Sequence, residues 1–504
     1  MSAAQGSYRQ LLRASFVVGG ATVLTILIGL VRGKAVALLL GPAGLGLIAL
    51  YQSLIGFGTS VAGMGLRTAG TRQMAEAMGQ DDAAQVASVR RALLWATIVL
   101  AWLGAATFWL ARDQLALRLL GDPARARDVG LLGIGVALGV VGGSQTALLT
   151  GLRRIGDTTR IGVWSALLSA VAGCAVLALF GESGVIAFVL AAPLFTFLLG
   201  YARIRRLDLP RPMALPLPQL AGQWRALAAL GLPFMLTAMA QSGSEFFVRA
   251  VIQDRLGPAA LGQFFAAWTI SSTYVALVLS GVGVDYYPRL TAIIADPVAA
   301  RQLVNQQIEV IMLLAAPVLL AVIGLAPFVL ALLYSRAFGE AASVLRWQAL
   351  GDVAMVVIWP LDYLLLARGR GLAYFTVSIV PLLVFMAMTV LLLPHFGIEA
   401  SGIAFAAMTA VHLALGLTLG RISAGWTAWT RATALHFAAL LAVTLGVFLA
   451  ARQSDLLGAI AGTALALLAA LYALRRFAAM TGSGADSRIG RLAAAARRLL
   501  GSRR

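Results

Sequence analysis

The chain has 504 residues, of which 60% are apolar and 12% are charged, and its formal net charge is +19. Apolar runs of about 18 residues or more recur along the whole length, which is the length that a bilayer-crossing helix needs. This composition excludes a soluble globule with one apolar anchor, and it predicts an all-α polytopic membrane protein. The positive charge lies mainly in loops on one side of the predicted helices, so we expect no nucleic-acid partner.

Fourteen transmembrane helices are predicted along the chain. They span residues 14–40, 44–69, 92–111, 129–150, 161–180, 184–204, 226–253, 259–287, 305–334, 340–367, 372–393, 398–420, 432–451 and 456–474. The predicted domains are an N-lobe of helices 1–6 (1–210), a C-lobe of helices 7–12 (211–424), helices 13–14 (425–476) and a basic tail (477–504). The pattern of the tail fits an amphipathic surface helix and a disordered segment equally well.

An internal repeat relates the two predicted lobes. The string Leu-Gly-Pro-Ala-Gly-Leu-Gly at 40–46 returns as Leu-Gly-Pro-Ala-Ala-Leu-Gly at 256–262, and 63–66 resembles 281–284. Gly-Pro pairs between apolar segments predict tight turns. Because each copy begins on the same side of the membrane, we predict a parallel repeat about a pseudo-twofold axis along the membrane normal.

Arginine asymmetry in the loops predicts the orientation of the helices. One side carries Arg9, Arg13, Arg72, Arg90, Arg91, Arg153, Arg154, Arg160, Arg203, Arg205, Arg206, Arg368, Arg370, Arg421, Arg431, Arg475 and Arg476. The arginine-rich side of a membrane protein is usually cytoplasmic. With an even number of helices, both termini are then predicted to be cytoplasmic.

Ionisable residues inside predicted helices are the candidate site residues, because charge at membrane depth is costly. The predicted substrate-binding residues are Arg32, Lys34, Arg67 and Arg249. A cluster of cations suits an anion, and the planar fork of arginine suits phosphate in particular. The predicted ion-coupling residues are Glu245 and Asp285.

A purely structural role for these charges also stays open. Glu245 lies four residues before Arg249, so the pair could be a structural ion pair within one helix. Arg67 and Asp285 could be interfacial residues at helix ends. The helix predicted over 340–367 adds two acids, Asp352 and Asp362.

Several kinds of chemistry have no signal in the sequence. The chain has no P-loop, and neither the lone Cys174 nor the three histidines have the spacing of metal ligands. We therefore predict no catalytic residue, no cofactor and no metal.

The beginning of the chain carries a family resemblance. The residues that carry it are Arg13-Ala14-Ser15, Gly19-Gly20, Gly29-Leu30-Val31-Arg32, Leu39 to Gly46 and Gln52-Ser53-Leu54. This pattern resembles the Wzx-type oligosaccharide flippases, of O-antigen or lipid III-like type, in the multidrug/oligosaccharidyl-lipid/polysaccharide exporter superfamily. The chain departs from the commonest Wzx pattern in having fourteen predicted helices in place of twelve.

The resemblance implies a MATE-like V shape, in which helices 1, 2, 7 and 8 line a central cationic cavity. It implies a multi-pass protein of the bacterial inner membrane that moves an undecaprenyl-diphosphate-linked oligosaccharide from the cytoplasmic to the periplasmic leaflet by alternating access. The implied pathway is surface polysaccharide biosynthesis (O-antigen, common antigen or exopolysaccharide). The implied partners are that substrate, membrane lipids, H⁺ or Na⁺ as coupling ion, and polysaccharide polymerase and chain-length regulator proteins.

Two other functions stay open at this point. A MATE-like multidrug or cation antiporter would have the same fold, but it should present acidic groups to its substrate. A membrane polysaccharide polymerase or glycosyltransferase would need a sizeable loop with catalytic acids, and no such loop is visible in the sequence.

Overall fold

The computed structural model describes residues 2–80, 83–209, 216–280 and 286–480, and these are helical with no strand among them. The helices are α1 (Ser2–Ala62), α2 (Leu66–Gly79), α3 (Ala83–Leu110), α4 (Arg112–Leu115), α5 (Ala126–Gly151), α6 (Ile155–Phe180), α7 (Val185–Arg205), α8 (Leu217–Ser280), α9 (Tyr286–Ile293), α10 (Pro297–Leu333), α11 (Ala341–Ala367), α12 (Gly371–Phe396), α13 (Glu399–Ala424), α14 (Arg431–Gln453) and α15 (Asp455–Met480). Short 3₁₀ and π turns connect some of them.

The polytopic fold predicted from composition is confirmed. Within the described ranges, eleven helical stretches are long and apolar enough to cross a membrane. Three of these stretches, 19–62, 155–205 and 218–279, each hold two crossings, which gives the fourteen expected helices. The chain is a multi-pass membrane protein.

Tight turns interrupt α1 and α8 where the repeated string predicts them. Gly41 has φ 64° and Gly257 has φ 84°, and each is followed by a proline. A side chain disfavours positive φ, so glycine is the residue that this backbone conformation favours. The predicted Gly-Pro turns at 41–42 and 257–258 are therefore confirmed.

One predicted helix end is wrong. The helix predicted over 44–69 ends at Ala62, because Met64 and Gly65 adopt positive φ, and α2 begins at Leu66. The helix predicted over 259–287 is described as far as Ser280, and α9 is described from Tyr286, so the predicted end of that helix stays a prediction. Residues 281–285, which carry the second Gly-x-Gly copy, lie outside the described residues, as do 481–504 of the predicted tail.

The described helices form two compact units. The first unit comprises the chain up to Phe265 together with Leu333–Ala337, and the second comprises Ala266–Leu332 and the chain from Phe338 onward. In the first unit α5 packs on α2, α3 and α7, while α6 packs on α1 and α7. The repeat-based lobe boundaries at 210 and 424 remain a prediction, since compactness and repeat symmetry are different criteria.

In the second unit α13 packs between α11 and α12, and α14 packs on α11 and α15. Small residues let α15 approach α10 closely, because a Cβ at Gly462 would lie 2.7 Å from the Cα of Gly324. Glycine contacts of this kind are a common means of association between helices in membranes. The last two crossings are therefore part of the second unit.

A buried asparagine ties the connection between α13 and α14 to α10. Asn305 Nδ2 donates to the carbonyl oxygens of Arg301 and Ala428, both at 2.7 Å. Its Oδ1 accepts from the backbone N–H of Thr430 at 2.9 Å and from the hydroxyl of Thr433. One side chain thus positions the first turn of α14.

Asn305→Ala should lower the thermal stability of the purified protein. The change leaves the buried Ala428 carbonyl and the half-buried Thr430 N–H without partners, and an unsatisfied buried group costs about 1–3 kcal/mol. Gln306→Ala is the matched control, because Gln306 is the next residue of α10 and is exposed. Equal unfolding temperatures for the two variants in detergent would contradict this role.

Candidate substrate cavity of the first unit

A cavity of about 650 Å³ opens within the first unit. Its wall is formed by the end of α1, the first turn of α2, the middle of α5, part of α7 and the first half of α8. Five hydroxyl-bearing residues contribute to this wall, namely Thr59, Ser60, Thr68, Thr146 and Thr196. Apolar surfaces that carry a few polar groups are typical of ligand sites.

Glycines on α5 make room for this cavity. Gly139, Gly142 and Gly143 recur three and four residues apart and therefore lie on one face of the helix. A Cβ at Gly139 would lie 2.6 Å from the hydroxyl oxygen of Thr59, so a side chain there would crowd the wall. Sequence reasoning missed these residues, although their helical spacing was a visible signal.

Arg67 is the cation of the described cavity wall. It lies in the first turn of α2, directly after the break at Met64 and Gly65. Its side chain is exposed, and the described residues place no acid within salt-bridge distance of its guanidinium. The N-terminus of a helix carries partial positive charge, which adds to that of Arg67. The two together favour an anionic ligand.

Arg249 and Glu245 form an ion pair on α8. Arg249 Nη2 lies 3.2 Å from Glu245 Oε2, and the Arg249 side chain is only 8% exposed whereas that of Glu245 is 29% exposed. Gln241 Nε2 donates to the other Glu245 oxygen at 3.3 Å. The guanidinium also lies 5.5 Å from the ring centroid of Phe265, and its Nε has no hydrogen-bond partner in the described part of the chain.

Arg32 lies elsewhere in the first unit, over an aromatic ring. Its guanidinium carbon is 4.1 Å from the ring centroid of Phe188 on α7, and its Nη2 is 3.5 Å from the Phe188 carbonyl oxygen. No carboxylate within the described ranges forms a salt bridge with it. Lys34, two residues later, is half-buried.

The predicted site residues therefore lie in different places in the structure. Arg67 lines the cavity, whereas Arg32, Lys34, Arg249 and Glu245 are not in its wall. Asp285 lies outside the described residues. Among those that the structure describes, the wall includes an arginine and no carboxylate.

Comparison with known proteins identifies the family. Residues 35–343, which are more than half of the chain, match the family described as "Polysaccharide biosynthesis protein". The chain belongs to this family. Membership in the polysaccharide biosynthesis protein family agrees with the resemblance found at its beginning.

Two curated relatives extend this result. The chain is 24% identical over 411 residues to the lipid III flippase of Escherichia coli K12, which covers 80% of this chain and 97% of the relative. The lipid III flippase of Shigella flexneri matches with the same identity and coverage. Both relatives are thus flippases by name.

Solved structures of other transporters show which fold this chain adopts. The lipid II flippase MurJ in an inward closed conformation aligns with a TM-score of 0.71 at 10% identity, covering 93% of this chain and all of that one. An inward-facing multidrug resistance MATE family transporter of the MOP superfamily aligns with a TM-score of 0.63 at 17% identity, covering 82% and 98%. The predicted MATE-like fold is confirmed, and so is the resemblance to this superfamily.

Proposed function

We propose that this protein is a flippase that moves an undecaprenyl-diphosphate-linked oligosaccharide from the cytoplasmic to the periplasmic leaflet of the bacterial inner membrane by alternating access. The observation that carries the proposal is the cavity of the first unit, where Arg67 lies among hydroxyls and glycines and pairs with no acid of the described ranges. Family membership and the lipid III flippase relatives support the same substrate class.

The chemistry of the cavity fits the two polar parts of such a substrate. A guanidinium can donate two parallel hydrogen bonds to phosphate, and the positive end of α2 adds to its attraction. The hydroxyl of Thr59, which has no partner among the described residues, can donate to and accept from sugar hydroxyls. The hydroxyls of Thr146 and Thr196 already donate to the carbonyl oxygens of Gly142 and Ala192, so they can accept from sugar hydroxyls. An antiporter for organic cations would instead need carboxylates in this wall, and the described wall has none.

Arg32, Lys34 and Arg249 are proposed as further contacts of the diphosphate. Arg32 supports this role best, because its half-buried guanidinium at membrane depth has no carboxylate of the described residues within salt-bridge distance. Arg32→Ala should abolish export while the protein stays in the membrane, and Arg32→Lys should restore it in part.

Ion coupling, orientation and pathway belong to the same proposal. Glu245 and Asp285 are proposed as ion-coupling groups, and an unchanged pH dependence of flipping in Glu245→Gln and Asp285→Asn would exclude them. Both termini are proposed to be cytoplasmic, and labelling of a cysteine at position 504 from the periplasm would contradict this. The glycan belongs to O-antigen, common antigen or exopolysaccharide synthesis, with a polymerase and a chain-length regulator as partners.

Arg67→Ala should reduce flipping of the lipid-linked oligosaccharide in proteoliposomes by about tenfold or more. Charge-assisted hydrogen bonds contribute about 1.5–3 kcal/mol, and 1.4 kcal/mol corresponds to about a factor of ten. Arg67→Lys should restore part of the rate, because lysine keeps the charge but loses the bidentate fork.

The matched control for this experiment is Arg72→Ala. Arg72 lies on the same helix, but its side chain is 65% exposed and pairs with Glu76 at 2.8 Å. Its loss should leave flipping unchanged. Equal rates for Arg67→Ala and wild type would contradict the proposed site. Deletion of the gene should also lead to accumulation of undecaprenyl-linked intermediates, as measured by mass spectrometry.

A further inference from the structure

The second unit contains a fully buried carboxylate that the proposed substrate site does not use. Asp352 lies in α11 and is 1% exposed. Ser271 of α8 donates a hydrogen bond to Asp352 Oδ2 at 2.7 Å, and the Tyr274 hydroxyl donates to the same oxygen. No arginine, lysine or histidine in the described structure forms a salt bridge with it.

A second polar side chain is buried one helical turn away. Gln348 is 0% exposed, and neither its Oε1 nor its Nε2 has a hydrogen-bond partner among the described residues. Gln348 and Asp352 are four residues apart on α11, so they share one face of the helix. A buried amide without partners is costly, and Gln348 therefore has an unsatisfied acceptor on the face of α11 that also carries the carboxyl group.

Other titratable groups on the neighbouring helices are engaged elsewhere or make no hydrogen bond with Asp352. On α13, His412 pairs with Asp362 at 3.1 Å, and on α9 the Tyr286 hydroxyl donates to the Pro360 carbonyl oxygen. The ion-paired groups on these helices are Arg346 of α11 with Asp455, Glu309 of α10 with Arg476, and Arg452 of α14 with Glu399. The other groups on these helices, none of which has a hydrogen bond to Asp352 in the described structure, are Tyr287, Arg289, Arg301, Tyr363, Tyr374, His395, Arg421, Arg431 and His436. Among the described residues, Tyr274 is thus the titratable group in direct contact with Asp352.

This environment suits the neutral form of the carboxyl group. An ionised carboxylate at membrane depth with only neutral donors around it bears a large desolvation cost, which a bound proton removes. Both observed hydrogen bonds end at Oδ2, so Oδ1 is the oxygen available to carry a proton. A protonated Oδ1 becomes a donor, and Gln348 Oε1, one helical turn away on the same face of α11, is an acceptor that has no donor in the described structure.

We propose that Asp352, Gln348, Ser271 and Tyr274 form a proton-binding site in the second unit, and that its protonation and deprotonation couple a proton gradient to transport. The coupling half of this proposal rests on the proposed flippase function. Asp352 binds one proton as a neutral acid when it is buried as seen here. It releases that proton as a carboxylate when a movement of α8 along α11 admits water. Asp352 is thus a coupling carboxylate in addition to the proposed Glu245 and Asp285, and unlike Glu245 it has no cationic partner in the described structure.

Infrared spectroscopy of the purified full-length protein tests proton binding without any substrate. A protonated carboxyl group has a carbonyl stretching band that an ionised carboxylate lacks. The wild type should show this band at neutral pH and lose it at alkaline pH, and Asp352→Asn should lack it throughout. Tyr274→Phe should shift the band, because one hydrogen bond to the group is removed. Asp113→Asn, whose side chain is 74% exposed, should leave the band as in the wild type.

The outcomes separate the site from the function. A wild type without the band, or a band that persists in Asp352→Asn, would overturn the proton site. Loss of the band when sodium is added at constant pH would also overturn it, since the ligand would then be a metal cation. If the band behaves as expected, an imposed pH gradient should accelerate flipping in the wild type and not in Asp352→Asn. A confirmed band together with no flipping of the oligosaccharide by the wild type would refute the proposed function and keep the proton site.

Discussion

Gly46→Ala and Gly262→Ala should each reduce oligosaccharide export strongly, although replacing glycine with alanine normally stabilises a helix. In the structure the two copies of the repeated string contact each other reciprocally. A methyl group at Gly46 would overlap the carbonyl oxygen of Pro258, and one at Gly262 would overlap that of Pro42. Because the opposing atom in each contact belongs to the backbone, neither overlap can be relieved by rotating a side chain.

The expected size of the effect follows from overpacking. An extra methyl group in a packed contact costs about 1–3 kcal/mol, which lowers the population of the arrangement in which the two strings touch by a factor of about 5 to 150. A transport cycle that passes through this arrangement should slow accordingly. One methyl group is already enough to separate the two strings. Export by the double variant should therefore be only slightly lower than export by either single variant.

Gly56→Ala provides the matched control. Gly56 lies on the same half of α1 as Gly46, but a Cβ there would meet nothing within 4 Å among the described atoms. This change should leave export unchanged. It should keep the free energy of unfolding at the wild-type value or raise it by up to about 1 kcal/mol. Full export by Gly46→Ala or Gly262→Ala in proteoliposomes would show that the contact is dispensable for transport.

Local chemistry explains why the turns and crossings could be predicted. A glycine with positive φ before a proline is specified by two adjacent residues, so Gly41 and Gly257 were visible in the repeated string. Long apolar runs likewise identify membrane crossings without tertiary information. The reciprocal contact of Gly46 with Pro258 was not predictable, because the string does not say that its two copies meet.

The environments of the charged residues depend on packing between helices, which the periodicity of the sequence does not encode. The sequence predicted that Glu245 and Arg249 could pair, since their spacing fixes a common helix face, and the structure places them 3.2 Å apart. It could not predict that Phe188 lies beneath Arg32, because the two residues are on helices far apart in sequence. The same holds for Asp352, whose partners Ser271 and Tyr274 belong to another helix.

Arg249 has two candidate roles, structural support and substrate contact. Arg249→Ala leaves Glu245 without its cation, and because the Glu245 side chain is 29% exposed, the cost is below the value of about 3–5 kcal/mol for a fully buried pair. We expect a lower thermal stability and no export. This result alone does not separate the roles, because an unstable protein also fails to transport.

A second change at Glu245 separates the two roles. In the double variant Arg249→Met, Glu245→Gln no charge of the pair is left unpaired, and replacing both partners of a buried pair with neutral residues is often neutral for stability. The double variant should therefore unfold near the wild-type temperature in detergent. If Arg249 binds the diphosphate, flipping in proteoliposomes should stay at least about tenfold below wild type, since about 1.5–3 kcal/mol of charge-assisted hydrogen bonding is still missing. Recovery of flipping together with stability would make the pair a structural support and leave Arg32 and Arg67 as the proposed contacts of the phosphates.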